Sequence, residues 1–520
     1  MNLERNVFGI LERTARSRLA GRPAFGFPGG VTISFAELHQ RSLQLGRAFV
    51  ASGLRKGDRV AILMNSRREW IEAYFAIAAV GAVCVPVNTY LVAAEVDTIL
   101  RDCDARFLIY DDEAADRVRR LTYAPELSVV VSETPNALPD LGAIAYEDFV
   151  DASDPSIRFS GPDLSDPFVI YYSSGTTGAP KGALHSHNGV LWNAMGQWLG
   201  FELDGDVRYG IVPSLSWAAG FNVLVTALVW IGGFSYVRPT GGATAESVVD
   251  MLITEKITHV NLVPSLLTDI MRRPDLVARL GAGSLQWVLV GSAPVPLTLL
   301  EQASAALPDV AVVQGYGFSE FPALVSVLRR EDAAEHPGSA GRPLPMVSVA
   351  VRTADDVVEH SGTGELLVRS PATMIGYHNR PDETDRVFRE GWLHTGDLAE
   401  VDGNGFVTIL GRTNDMIISG GLNVYPKEIE DVVIRIDGVL ECAVVAVPHD
   451  RFGEAVAVSI YTDMPSFDPE SVAVACREQL ASYKRPKHVV MSVNRLPRNS
   501  NGKLLKREIT RQMITELGLS

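Results

Sequence analysis

Tyr171-Tyr172-Ser173-Ser174-Gly175-Thr176-Thr177-Gly178-Ala179-Pro180-Lys181-Gly182 follows the apolar run Phe168-Val169-Ile170, and its reading governs the rest of the chain. An apolar run that ends in a glycine-rich turn is a strand delivering a loop to the edge of a sheet. Glycines without a Cβ let the backbone curl closely around a ligand, while the hydroxyls, the backbone N–H groups and Lys181 supply hydrogen bonds and positive charge. Such a loop can hold phosphates. It is not a Walker A loop, because Gly175 and Gly178 are too close together and Lys181 is followed by glycine, not by the Ser or Thr that would hold magnesium.

On both sides of this loop, short apolar runs alternate with amphipathic stretches, the pattern of sheets covered by helices. Residues 60–64 read as a strand, 68–79 as a helix and 82–87 as the next strand, with 107–110 and 128–132 continuing the set. Strand 286–290, helix 296–306 and strand 310–314 repeat it, so two related α/β layers are expected. After about Gly338 the character changes: 347–352, 365–369 and 406–410 are strand-like, and Asp402-Gly403-Asn404-Gly405 reads as a hairpin turn. Past residue 413 a fresh unit begins, with helices at 426–435 and 469–481 and strands at 442–447 and 455–461. The expected class is α/β: a large N-terminal domain (1–413) of two α/β subdomains plus a β-rich subdomain, and a small C-terminal α+β domain (414–520).

Composition removes other classes. The 520 residues exceed what one hydrophobic core organises, and 47% hydrophobic with 21% charged residues fits neither wholesale disorder nor a polytopic membrane protein. Lys+Arg 47 against Asp+Glu 62 gives a net charge of −15, which repels nucleic acid, so none is expected as a partner. Between Arg208 and Arg238 no formal charge occurs, but Pro213, Ser214, Ser216, Asn222, Gly232 and Gly233 interrupt the stretch, which reads as buried helix and strand and not as a membrane span. Cys84, Cys103, Cys442 and Cys476 are scattered without metal or disulfide spacing, and acidic residues near Met1 leave no secretory signal. The expectation is a cytoplasmic monomer or homodimer with free thiols.

The loop resembles the signature of the adenylate-forming superfamily, which comprises acyl-CoA synthetases, non-ribosomal peptide adenylation domains and firefly-type luciferases. In the same order come segments similar to that family's other motifs: Gly291-Ser292-Ala293-Pro294, Gly315-Tyr316-Gly317-Phe318-Ser319-Glu320, Gly338 to Pro343, Trp392 to Asp397, Gly411 to Asp415 and Pro497 to Lys503. The resemblance spans nearly the whole chain. It implies an acid–thiol ligase that turns a carboxylate and Mg-ATP into an acyl-adenylate plus pyrophosphate, then passes the acyl group to a thiol.

By that resemblance Lys503 is the catalytic lysine, Glu320 the magnesium ligand, and Thr176 and Lys181 catalytic members of the phosphate loop, alongside Ser173, Ser174, Gly175, Thr177 and Gly178. Asp397 and Arg412 would hold the ribose. Gly291, Ser292, Ala293, Pro294, Gly315, Tyr316, Gly317 and Ser319 would line the nucleotide, with the Tyr316 ring on the base. The small domain would swing about a hinge at Asn414, where the family usually has Asp or Lys.

Gly420 and Gly421 resemble the coenzyme A ligase version of the loop after the hinge, leaving a lane for pantetheine. Residues 482–511 carry nine cations against one carboxylate, a local +8 that could meet the phosphates of coenzyme A. The alternative acceptor is the phosphopantetheine of an acyl carrier protein. For the acid, Trp217, Phe221 and Asn222 would face Gly291, Gly317 and Phe318 in a largely apolar pocket, which suits a hydrophobic or aromatic tail. Asn222 carries no charge, which disfavours an α-amino acid. His187 is a candidate for the same pocket, although both it and His185 read first as structural histidines.

Overall fold

The computed structural model describes residues 6–132, 142–173, 180–291, 295–329, 331–419, 422–449, 452–464, 466–498 and 504–519. Ser173, Asn414 and Asn423 are described in backbone only. The first sheet has eight strands, in the order Gly376–Tyr377, Lys181–Ser186, Pro167–Ser173, Val83–Pro86, Arg59–Leu63, Ala105–Asp111, Leu127–Val131 and Ile144–Ala145. Its inner strands run parallel, and Lys181–Ser186 returns antiparallel to Pro167–Ser173, so the signature loop joins two neighbours at one edge. Val83–Pro86 is buried at every position, as a parallel strand covered on both faces must be. The helix Arg68–Val80 supplies one cover, buried from Trp70 to Val80, and Gly81 ends it in the left-handed region at φ 74°.

The second sheet has nine strands, ordered Arg342–Pro343, Ser326–Val327, Ala311–Tyr316, Trp287–Val290, His259–Leu262, Arg208–Ile211, Phe234–Val237, Pro23–Phe27 and Val31–Ser34. The charge-free stretch folds as two strands flanking the short helices Ala218–Phe221 and Val225–Ile231, as expected. No helix among the described residues is long and apolar enough to cross a membrane. The hairpin of residues 23–34, which the sequence pattern did not reveal, lies beside Phe234–Val237, with Phe25 opposite Ser235.

The β-rich subdomain is a six-stranded sheet built on Gly362–Arg369 and Trp392–Val401. Its turn at Asp402 forms as read: the Asp402 carboxylate accepts the N–H groups of Asn404 at 2.8 Å and Phe406 at 2.9 Å, and Gly405 takes φ 83°. In the C-terminal unit, Glu441–His449 and Gly453–Tyr461 alternate with period two. Val444, Val456, Val458 and Ile460 face the helices Pro426–Val433 and Glu470–Gln479, while Ala443, Val445, Ala455 and Ala457 face the last helix, Lys506–Glu516. All four cysteines are free thiols.

Candidate active site

The carboxyl ends of the second sheet's parallel strands share one edge, where Gly291, Gly315, Tyr316 and Gly317 lie. Trp287–Val290 ends at Gly291, and its neighbour Ala311–Tyr316 ends at Gly317, with Val290 opposite Gln314. After Tyr316 the chain doubles back to pair with Ser326–Val327, so closely that a Cβ on Gly317 would lie 1.6 Å from the carbonyl oxygen of Ala323. Only glycine fits this turn. Ala323 itself sits at φ 121°, where a side chain is strained.

That strained loop carries Ser319 and Glu320. His185 donates from Nε2 to the Ser319 carbonyl at 2.8 Å, and the Met374 N–H bonds the Glu320 carbonyl at 3.0 Å, fixing the backbone on both sides of the carboxylate. The Glu320 side chain accepts the Tyr377 hydroxyl at 2.6 Å. Burial and the neighbouring Glu320 charge both raise the Tyr377 pKa, so the phenol stays a proton donor. Lys181 starts the returning strand of the first sheet and pairs with Glu383.

Asp397 comes from the β-rich sheet. It is 5% exposed, and its two oxygens are shared between two elements: Arg412 Nε lies 2.7 Å from Oδ1, and the Tyr316 hydroxyl donates to Oδ2 at 2.5 Å. Burial first, and then the Asp397 charge, push the Tyr316 pKa well above its ordinary value. Glu365 braces this strand by accepting the Gly396 N–H at 3.1 Å and pairing with His394 at 2.8 Å.

Three of the residues expected in the acid pocket are buried in the fold. Phe221 is fully buried, its ring 4.1 Å from Tyr74 and 5.3 Å from Trp70. Asn222, 2% exposed, accepts from the Tyr74 hydroxyl at 3.3 Å and donates to the Tyr171 hydroxyl at 3.1 Å. His187 is fully buried on the Phe168 ring at 4.5 Å, its Nδ1 accepting the Val7 N–H at 3.2 Å, and burial lowers its pKa to about 3. All three are packed inside the fold, where aromatic and amide side chains of an apolar run satisfy one another. Trp217, Gly291, Gly317 and Phe318 remain at the strand-end edge, with Gly317 exposed and Trp217 and Phe318 part-buried.

In the basic strip, Lys484 pairs with Glu428, Lys506 with Glu430 at 2.8 Å, and Arg495 and Arg498 share Glu441 at 3.2 and 3.7 Å, so three carboxylates of the unit offset part of its positive charge. Thr176, with Ser174, Gly175, Thr177 and Gly178, lies outside the described residues, as do Ser292, Ala293, Pro294, Gly420, Gly421 and Lys503. Tyr377 and Glu383, which contact Glu320 and Lys181, carried no signal in the sequence.

With this geometry in place, the profile of the AMP-binding enzymes matches residues 11–378, and that of the AMP-binding enzyme C-terminal domain matches residues 428–503. The chain belongs to the AMP-binding enzyme family. Among its members, the long-chain-fatty-acid–CoA ligase FadD13 of Mycobacterium tuberculosis is 34% identical over 93% of each chain. The feruloyl-CoA synthase of an Amycolatopsis species is 35% identical over 96% of this chain and 97% of its own. The anthranilate CoA ligase AuaEII, solved with anthranoyl-AMP, superposes with a TM-score of 0.88 at 25% identity, covering 100% of this chain and 99% of that one. This AMP-binding enzyme is an AMP-forming acid–CoA ligase, which makes an acyl-adenylate and then an acyl-CoA.

Proposed function

We propose that the ligase activates a hydrophobic or aromatic acid, and that its large domain (1–413) binds ATP and acid while its small domain (414–520) brings Lys503 to them. The observation that carries this assignment is the meeting of Tyr316, Asp397 and Arg412 at the strand ends, beside a loop holding Glu320. A negative carboxylate must approach a negative α-phosphate, so the protein's task is to neutralise and orient. Lys181 and the backbone N–H groups of the signature loop hold the β- and γ-phosphates. Asp397 accepts the ribose hydroxyls while Arg412 balances its charge, and Tyr316 presents its ring to the base. Lys503 bridges the carboxylate and the α-phosphate. The carboxylate oxygen then bonds to the α-phosphorus as the bond to pyrophosphate breaks, and a CoA thiolate later attacks the acyl carbonyl and expels AMP.

Magnesium fits the donor set. Among the described residues no three His, Cys, Asp or Glu side chains cluster as a self-sufficient metal site, and Glu320 is a single carboxylate. Magnesium commonly takes one or two carboxylates, with phosphate oxygens and water completing its shell, and when bound it neutralises phosphate charge. The aromatic rings of Trp217 and Phe318, part-buried at the strand-end edge, together with relatives named for fatty and feruloyl acids, favour an apolar or aromatic acid over an α-amino acid.

The test is pyrophosphate release over fatty, aryl, cycloalkyl, β-amino and α-amino acids, each with and without CoA, with acyl-CoA identified by mass. Release and acyl-CoA with apolar or aryl acids are expected. Turnover confined to α-amino acids would overturn the substrate assignment, and release without acyl-CoA would point to a carrier-protein thiol.

A further inference from the structure

One short segment brings a side chain to each of the two residues assigned to the triphosphate. The strand Gly376–Tyr377 pairs with Lys181–Ser186, with Gly376 opposite Leu184 and Tyr377 opposite Ala183, and the helix Pro381–Val387 follows it. From them, Tyr377 donates to Glu320 at 2.6 Å, Glu383 pairs with Lys181, and the Lys181 ammonium lies 5.4 Å from the centre of the Tyr377 ring. The segment is internally braced. The Tyr377 N–H donates to Thr384 Oγ1 at 2.9 Å, Thr384 Oγ1 donates to the Arg380 carbonyl at 2.9 Å, and a Cβ on Gly376 would come within 2.7 Å of Thr384. Arg380 pairs with Asp102 at 2.7 Å, and Asp102 also accepts the Tyr172 hydroxyl at 2.7 Å, which ties the segment to the strand entering the signature loop.

We propose that Glu383 is the resident counter-ion of Lys181, a positioning residue that orients the ammonium in the empty site and competes with pyrophosphate for it. This rests on Lys181 being the lysine that binds the phosphates. Both side chains are about a quarter exposed, 26% and 27%, so water reaches the two groups although the Glu383 oxygen that meets the ammonium is itself buried. Lysine is a point charge on a flexible stem, so it can turn from carboxylate to phosphate by rotation alone. An arriving triphosphate carries more negative charge than one carboxylate and displaces it. When pyrophosphate departs, Glu383 takes the lysine back, and the ammonium is never left without a counter-charge. Arg380 Nε stands 3.9 Å from the other Glu383 oxygen, so the displaced carboxylate keeps a cation beside it.

The experiment is calorimetric titration of the full-length protein, at constant magnesium, with inorganic pyrophosphate, α,β-methylene-ATP and AMP. Glu383→Gln is expected to bind pyrophosphate and the ATP analogue roughly threefold tighter, the scale of one partly screened ion pair. AMP, which has no β- or γ-phosphate, should bind unchanged and serves as the check on folding. Asp382→Asn, the same charge change at the exposed neighbour, should leave pyrophosphate affinity unaltered, and Lys181→Met should erase the gain from Glu383→Gln. Unchanged or weaker pyrophosphate binding in Glu383→Gln with AMP intact, an equal gain in Asp382→Asn, or a gain that persists without Lys181 would each overturn the proposal. If Lys181→Met alone leaves pyrophosphate affinity unaltered, it is the lysine assignment that fails.

Discussion

Arg412 and Asp397 stand opposite each other across the antiparallel strands Val407–Arg412 and Trp392–Val401, with Nε 2.7 Å from Oδ1. Arg412 is the last residue of its strand, and the tight turn Thr413–Asp415 follows at once. The proposed ribose contact and the proposed hinge at Asn414 are therefore two residues apart in one chain, so a swing of the small domain pulls on backbone adjacent to bound nucleotide. Asp397→Ala should raise the KM for ATP and the Kd for AMP by about 10- to 100-fold, the loss of charge-assisted hydrogen bonds. Retained AMP affinity would remove Asp397 from the ribose site.

Lys503→Ala is expected to abolish pyrophosphate release yet spare acyl-CoA formation from a supplied acyl-adenylate. Gly421→Trp, which would fill the lane proposed for pantetheine, should do the reverse. Equal loss of both half-reactions in both variants would sink the division of labour between the two domains.

Gly317→Ala tests the loop that carries Glu320. The added methyl would meet the Ala323 carbonyl at 1.6 Å, so the loop must shift and Glu320 with it. Adenylation should fall by about tenfold or more, with little change in far-UV circular dichroism. Full activity would mean that the placement of Glu320 is not critical.

Asn222→Ala separates core from pocket. Removing the amide takes one partner from each of the Tyr171 and Tyr74 hydroxyls and leaves them only each other, and a urea titration should show a loss of about 1 kcal/mol. The order of preference among acids should stay the same. A changed order with unchanged stability would return Asn222 to the pocket.

Acid should weaken the fold in a defined window. Burial lowers His39, His185 and His259 to about 4 and His187 to about 3, from an ordinary 6.5. Above pH 6.5 both folded and unfolded chains hold these rings neutral, and their contribution is intact. Between pH 6.5 and about 4 the unfolded chain takes up protons that the folded chain refuses, so stability falls as the pH falls. Urea midpoints at pH 7.5, 6 and 5 should decline in that order, and a flat series would show these rings to be accessible to protons.

Strands whose side chains all point into the protein were legible, since Val83–Pro86 and Trp287–Val290 are apolar runs with nothing to confuse them. Trp392–Val401 escaped notice as a strand because His394, Thr395, Gly396 and Asp397 interrupt its apolar pattern, and a bulge shifts its register at Leu398 and Ala399. Phe221, Asn222 and His187 pack against one another's neighbours inside the fold, and composition says which residues avoid water, not whether they meet a ligand or one another. Tyr377 and Glu383 reach Glu320 and Lys181 through tertiary contact alone, which no local pattern encodes.

The hairpin of residues 23–34 pairs with Phe234–Val237, a strand made roughly 200 residues later, so at about 5–20 residues per second the ribosome leaves it waiting some ten to forty seconds. Phe25 and Phe27, both buried in the finished sheet, spend that interval without their partner strand, with an edge open to pairing with a neighbour.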